Sequence, residues 1–170
     1  YTKFRILGKT RDDAAGEAFD KAARAMGLPY PGGVHLDRVS KEGNPKAFNL
    51  PKPRVEGCPL DMSFSGLKTA VINTVHNAEQ KGTEIDIPVL AATVRERVCD
   101  MLIKATFKAA EDKGYTQIAV AGGVSANSEL RRRMEQECEK RGYRLFVPPL
   151  KYCGDNAAMI GSQAYFEYLS

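Results

Sequence analysis

The sequence has no tryptophan and only two histidines, His35 and His76. Its four cysteines, Cys58, Cys99, Cys138 and Cys153, lie far apart and form no Cys-x-x-Cys pair. Neither histidine sits at ligand spacing from a cysteine, so a local zinc cluster is excluded, and so is a His-Glu-x-x-His peptidase helix. Thiols this scattered read as reduced, in a cytosolic protein. No apolar run approaches the roughly 18 residues of a membrane-spanning helix, and no signal-peptide pattern is present. No repeat or low-complexity tract interrupts the chain. Charge of one sign is also scarce: 25 Lys and Arg against 21 Asp and Glu leave a net +4. That balance permits a nucleic-acid partner without demanding one.

What remains is ordinary globular material. Apolar residues make up 43% of 170 residues, and the mean hydropathy is −0.36. This length supports one domain with a real core, or two small subdomains. The chain begins at Tyr1 rather than Met, inside a run (1–7) that reads as a strand, so the sequence is expected to be a piece of something longer.

The organising stretch is 117–127. Residues 117–121 are a short apolar run with the length and punctuation of a buried strand. Gly122-Gly123 lets the backbone turn sharply or approach a ligand closely. Leu130, Met134 and Cys138 then recur every four residues, which predicts a helix with an apolar stripe. Strand, glycine loop and helix together place free backbone amides around an anion.

Upstream, Thr10-x-x-Asp13 has a capping-box pattern, so a helix is expected from there to Gly27. Ala15, Ala18, Phe19, Ala22 and Met26 fall on one face, and Asp13, Glu17, Asp20 and Arg24 on the other. A rigid turn at Pro29-Tyr30-Pro31-Gly32-Gly33 leads to a short helix over 34–41, which carries His35 and Asp37. His35 reads as structural. The proline-rich stretch 43–61 is expected to be irregular, with an edge strand at 47–50. A helix opening at Ser63-Phe64-Ser65 is predicted to 80, with Ser63 or Ser65 as its cap. Lys68 stands in its first turn, where the helix dipole disfavours a cation, which suggests an anionic partner. Pro88 opens a long helix to 113 with the stripe Leu90, Val94, Val98, Met101, Leu102, Ala105 and Ala109. A second strand over 144–147 is stopped by Pro148-Pro149. The loop Cys153-Gly154-Asp155-Asn156 precedes a last helix with Ala157, Ile160, Ala164 and Leu169 as its apolar positions. Arg131-Arg132-Arg133, with Lys140 and Arg141, forms a candidate basic surface for RNA, set against the plainer reading of a solvated helix face.

Strands alternating with helices imply an α/β fold with helices packed on a sheet. Ligands in such sheets bind where strands end and helices begin. Gly32-Gly33, Gly122-Gly123 and Cys153-Gly154-Asp155 all lie at such junctions, opposite an acidic helix face. A phosphate or nucleotide site is therefore expected, and the reaction type does not follow from these residues.

Five motifs in order carry a resemblance: residues 12–21 (DDAAGEAFDK), 30–33 (YPGG), 63–69 (SFSGLKT), 121–127 (AGGVSAN) and 153–159 (CGDNAAM). Together they resemble the tRNA N6-adenosine threonylcarbamoyltransferases, the TsaD family, formerly called O-sialoglycoprotein endopeptidases, and specifically its bacterial and mitochondrial branch. The resemblance implies an α/β fold of the actin and Hsp70-like ATPase (ribonuclease H-like) kind, with helical insertions. Residues 1–170 would form most of its second lobe, with the first lobe and its His-x-x-x-His motif absent. It implies transfer of a threonylcarbamoyl group from threonylcarbamoyl-adenylate to the N6 amine of the adenosine beside the anticodon in tRNAs reading codons that begin with A. It further implies that Asp20, Gly33 and Asp37 line the nucleoside side of the adenylate, or of ATP or ADP. Asn127 and the Gly122-Gly123 backbone would approach from the opposite loop. Asp155 would be one ligand of a divalent iron or zinc ion that polarises the carbamoyl carbonyl. The implied partners are tRNA, the family's inactive paralogue and a small P-loop ATPase, in the cytoplasm and away from membranes. No nucleophile in the chain must form a covalent intermediate, so direct attack by the adenosine amine is the simplest route. The alternatives are a non-catalytic nucleotide-binding lobe of a complex and a metallopeptidase.

Overall fold

The computed structural model describes residues 3–170. Six α-helices and two short strands follow one another as α1 (Ala15–Ala25), α2 (Gly32–Val39), α3 (Ser65–Lys81), α4 (Ile87–Lys113), β1 (Gln117–Ala119), α5 (Ser128–Arg141), β2 (Arg144–Phe146) and α6 (Ala157–Tyr168).

Two cores share the long helix α4. The first packs α1, α2, α3 and the N-terminal half of α4 around Phe19, Leu36, Phe64, Leu67, Val71, Leu90, Val94 and Val98. The second packs the C-terminal half of α4 against α5 and the strands through Cys99, Ile103, Phe107, Ile118, Leu130 and Met134. The buried stripe of α4 therefore turns after Val98: Met101, Leu102, Ala105 and Ala109 are only half-buried, and Ile103, Phe107 and Ala110 take their place. A helix serving two cores on different sides cannot keep one straight stripe.

β1 and β2 pair in parallel, Gln117 with Arg144, Ile118 with Leu145 and Ala119 with Phe146, and α5 makes the crossover. Of β1 only Ile118 is buried, so one face of the strand is open and the expected fully buried strand is corrected to a half-buried one. Residues 3–9 form no strand, and the rest of the expected strand 1–7 lies outside the described residues. The nearest pairing is a single bridge between Thr10 and Met62. Residues 47–50 form no edge strand either.

Helix ends follow sequence chemistry, with two transfers of role. Asp86 caps α4 by accepting from the Val89 amide (3.0 Å), and Pro88 lies in the first turn. Gly82, Gly114 and Gly142 close α3, α4 and α5 in the left-handed conformation. α1 begins at Ala15, with the Glu17 carboxylate accepting from the Ala14 amide, while Thr10 bonds the Asp13 carbonyl instead of capping the helix. α3 is capped by neither Ser63 nor Ser65. The Asp12 carboxylate reaches across from before α1 and accepts from the Phe64 amide (2.7 Å), the Ser65 amide and both serine hydroxyls. Desolvation pushes the Asp12 pKa up, but these hydrogen bonds outweigh it and bring it down to about 2. Lys68 forms no ion pair with a carboxylate among the described residues.

α6 has no buried residue: Ile160 is 73% exposed and Leu169 62%. Its apolar positions make a helix, as expected, but not a packed one.

Candidate functional site

A cavity of about 740 Å³ opens between α1 and α2 on one side and the loop after β1 on the other. Asp20, Gly33, Asp37, Gly122, Gly123 and Asn127 all line it. Their side chains are engaged to different degrees.

Helices α1 and α2 meet at Gly32, where an added Cβ would lie 2.7 Å from the Ala23 Cβ and 2.9 Å from the Asp20 Cα. Only glycine permits this approach. It brings the Gly33 amide 2.8 Å from Asp20 Oδ1, so Asp20 caps α2 from the neighbouring helix. Its second oxygen has no protein donor among the described residues. Asp37 is more fully occupied. It accepts from the Ser128 amide (3.2 Å), the Ser128 hydroxyl (3.0 Å) and the Arg95 guanidinium (3.3 Å). Arg95 also bonds the carbonyls of Asp37 and Ser40 at the end of α2, where a cation complements the helix dipole. Asp37 thus ties α2 to α4 and to the start of α5.

The opposite wall is the loop 121–127. Gly122 sits at φ 84°, in the left-handed region that favours glycine. A short 3-10 turn follows over Gly123–Ala126, and its first amides have no acceptor within the turn. Asn127 is 8% exposed and caps α5 through Oδ1, which accepts from the Leu130 amide at 3.0 Å. The same oxygen lies 3.7 Å from the buried Cys99 thiol, whose pKa desolvation raises to about 12. The Asn127 Nδ2 donor has no partner among the described residues. Only Asp20, Asp37 and Asn127 bring polar side chains to the cavity wall; the rest is glycine, alanine, proline, valine, leucine and phenylalanine. Such a wall suits a flat, largely apolar ring edged by a few polar groups.

Asp155 lies elsewhere. It is exposed, does not line the cavity, and leaves the capping of α6 to Asn156, which accepts from the Met159 amide (3.2 Å). Among the described residues no three of His, Cys, Asp and Glu come together as a metal site. His35 lies beside Arg38, and His76 beside Gln80 and Glu79. One exposed carboxylate does not fit an iron or zinc ion by itself, which needs roughly three protein ligands.

The arginine cluster is structural. Arg131 bonds the Ser125 and Pro148 carbonyls and the Cys153 thiol. Arg132 pairs with Glu129, and Arg133 with Asp100 and Glu96. Lys140 and Arg141 both pair with Glu137, and Arg141 also with Glu111. Sequence reading had no means to see Asp100, Glu96 and Glu111, which approach from α4. Arg131 fixes the loop wall from behind, a role its place in a basic run concealed.

The profile of the TsaD family, tRNA N6-adenosine threonylcarbamoyltransferase, matches residues 1–162. The chain belongs to this family. Proteins bearing that name are similar to it throughout: one from Clostridium botulinum (strain 657 / Type Ba4) is 53% identical over 169 residues, covering 99% of this chain and 50% of the relative. One from Moorella thermoacetica is 51% identical, covering 99% and 49%. One from Geobacillus thermodenitrificans is 52% identical over 161 residues, covering 94% and 47%. The chain thus spans about half the length of these relatives. Among solved structures, full-length HypF in its phosphate- and nucleotide-bound form superposes with a TM-score of 0.58 at 14% identity, over 82% of this chain and 22% of HypF. That likeness concerns the fold alone. It accords with the expected α/β lobe of the actin and Hsp70-like kind, seen in part.

Proposed function

We propose that this chain forms the nucleotide-holding part of an enzyme that moves a threonylcarbamoyl group from threonylcarbamoyl-adenylate to the N6 amine of the adenosine beside the anticodon of tRNA. The observation that carries the reading is the cavity that gathers Asp20, Gly33, Asp37, Gly122, Gly123 and Asn127 between α1–α2 and the glycine loop. The apolar glycine and alanine wall accepts the adenine ring. The free Asp20 oxygen accepts from a ribose hydroxyl, and Asn127 Nδ2 donates to the adenylate. Among the described residues no serine, cysteine, lysine or histidine lines the cavity, which supports direct attack by the tRNA amine rather than a covalent enzyme intermediate.

Within this reading, residues 1–170 are most of the second lobe of a two-lobed enzyme. Asp155 is one candidate ligand of an iron or zinc ion whose other ligands lie outside the chain's described residues. The family's inactive paralogue and a small P-loop ATPase are its protein partners, and the cytoplasm is its place. No helix among the described residues is long and apolar enough to cross a membrane. The family's name describes group transfer, and that name, rather than the cavity, favours this reading over a metallopeptidase or a non-catalytic nucleotide-binding lobe.

The test is calorimetric titration of ADP into the native protein and its Asn127→Asp variant. Aspartate keeps the cap on α5 but removes the Nδ2 donor, so folding persists. Affinity is expected to fall by roughly 1.5–3 kcal/mol, the worth of a hydrogen bond to a charged group. Equal affinity in a folded variant would remove Asn127, and with it the loop wall, from nucleotide binding.

A further inference from the structure

A second groove, of about 660 Å³, lies between the proline-rich stretch 52–62 and α4, apart from the nucleotide cavity. We infer that this groove is where the phosphate backbone of an RNA stem lies against the protein. The inference rests on the tRNA reading above and assigns that substrate a place.

Five cations border the groove: Lys52, Arg54, Arg97, Lys104 and Lys108. Lys52 and Arg54 are two residues apart in irregular, exposed chain beside Pro51 and Pro53; where such chain is extended, alternate side chains point the same way. Arg97, Lys104 and Lys108 are spaced by seven and four residues on α4, and so share one helix face. Lys52, Arg54 and Arg97 form no ion pair with a carboxylate among the described residues. Arg97 is half-buried, and its Nε is buried without a hydrogen-bond acceptor. Lys104 and Lys108 are exposed and pair only one turn along the helix, with half-buried Asp100 (3.6 Å) and exposed Asp112 (3.0 Å). Such pairs contribute little and exchange readily for a stronger anion.

The groove's three acidic residues do not cancel this charge: Asp61 is held by the Lys9 amide and the Arg11 guanidinium and Asp100 by Arg133, which leaves Glu56 alone without an ion pair among the described residues, against five cations. The contrast with α5 is direct: there each arginine has its own acceptor, here Lys52, Arg54 and Arg97 have no carboxylate partner among the described residues. Among the described residues no aromatic side chain lines the groove, so they offer no platform for unstacked bases. Cations without stacking partners suit a regular backbone of phosphates, the way RNA helices are held without reading sequence. An acidic protein segment is the competing occupant.

The experiment measures anisotropy of a labelled anticodon stem-loop RNA bound to the native protein across about 50–200 mM salt. It compares wild type with the triple variant Lys52→Ala/Arg54→Ala/Lys104→Ala, all exposed positions, and with Arg132→Ala as a paired-arginine control. The triple variant is expected to lower the slope of log affinity against log salt by about 2–3 units, close to one for each phosphate no longer neutralised. Its ADP affinity should not change, and Arg132→Ala should match wild type. Binding with an undiminished slope in a folded triple variant would overturn the groove and leave the proposed reaction standing. Failure of the wild-type protein to bind the RNA at all, with ADP binding intact, would overturn both. A polyglutamate peptide that loses affinity in the triple variant while the RNA slope stays constant would give the groove to a protein partner and overturn the inference.

Discussion

On the helical side of the α1–α2 cavity the carboxylates are already at work within the protein: Asp20 caps α2, and Asp37 joins α2 to Arg95 and Ser128. On the loop side the polar groups are held but not filled, with the first amides of the 3-10 turn and the Nδ2 of Asn127 left over. The first wall is therefore a scaffold with one spare oxygen. The second is the wall that can recognise a ligand. A change on the helical side should first be felt as lost stability, and a change on the loop side as lost binding.

The sharpest way to break the scaffold is Gly32→Ala. The new Cβ would press on Ala23 and Asp20, and separating α1 from α2 should cost about 2–3 kcal/mol, read as a lower midpoint in thermal or urea unfolding. A midpoint equal to wild type would mean that the two helices are not in firm contact. Next, Arg133→Ala removes the anchor of α5 on α4 and leaves Asp100 without its main partner. Desolvation pushes the Asp100 pKa up, and the Arg133 bond more than offsets it, so the carboxyl sits below its ordinary value. The variant should lose about 2 kcal/mol. Arg132→Ala, one residue earlier but exposed, should stay within about 0.5 kcal/mol of wild type. Equal losses in the two would contradict the division between buried anchor and surface pair.

Asp12→Ala should cost about 1 kcal/mol at neutral pH, the worth of a helix cap. Because the folded pKa is about 2, below the ordinary carboxylate value, the contribution is present above about pH 4 and fades as pH falls toward 2. The gap between wild type and variant, followed by urea unfolding, should close on acidification. A gap that widens in acid would reverse the assignment. The smallest effect is chemical: a thiol reagent at neutral pH should modify half-exposed Cys58 and spare Cys99, whose thiol is buried and held neutral.

Most helices were legible because their signals are local. Asp86 and Pro88, Asn127 and the closing glycines act within a turn of their own helix, and the four-residue recurrence of Leu130, Met134 and Cys138 needs no partner to be seen. The glycine loops and the acidic face of α1 also show themselves in sequence, and the residues that the resemblance named there line one cavity. What they hold in the folded chain was not legible. Asp12 capping a helix more than 50 residues away, Asp20 capping α2 and Asp37 meeting Ser128 are products of packing. The same limit explains the arginines, whose acceptors come from α4, and the turned stripe of α4 itself. The strand expected over 1–7 does not form in residues 3–7, because a strand needs a neighbour. Residues 3–8 find no strand partner, and the apolar face of α6 meets no core among the described residues.

The most direct test of the cavity is ADP titration into a Gly123→Leu protein. A Cβ at Gly123 meets no atom within 4 Å, and its φ is not in the left-handed region, so a side chain can leave the backbone there without a clash at its Cβ. The added bulk would occupy the space assigned to the nucleotide. The account predicts an unchanged melting temperature for the free protein and no measurable ADP binding. Wild-type affinity in a variant of wild-type stability would contradict it.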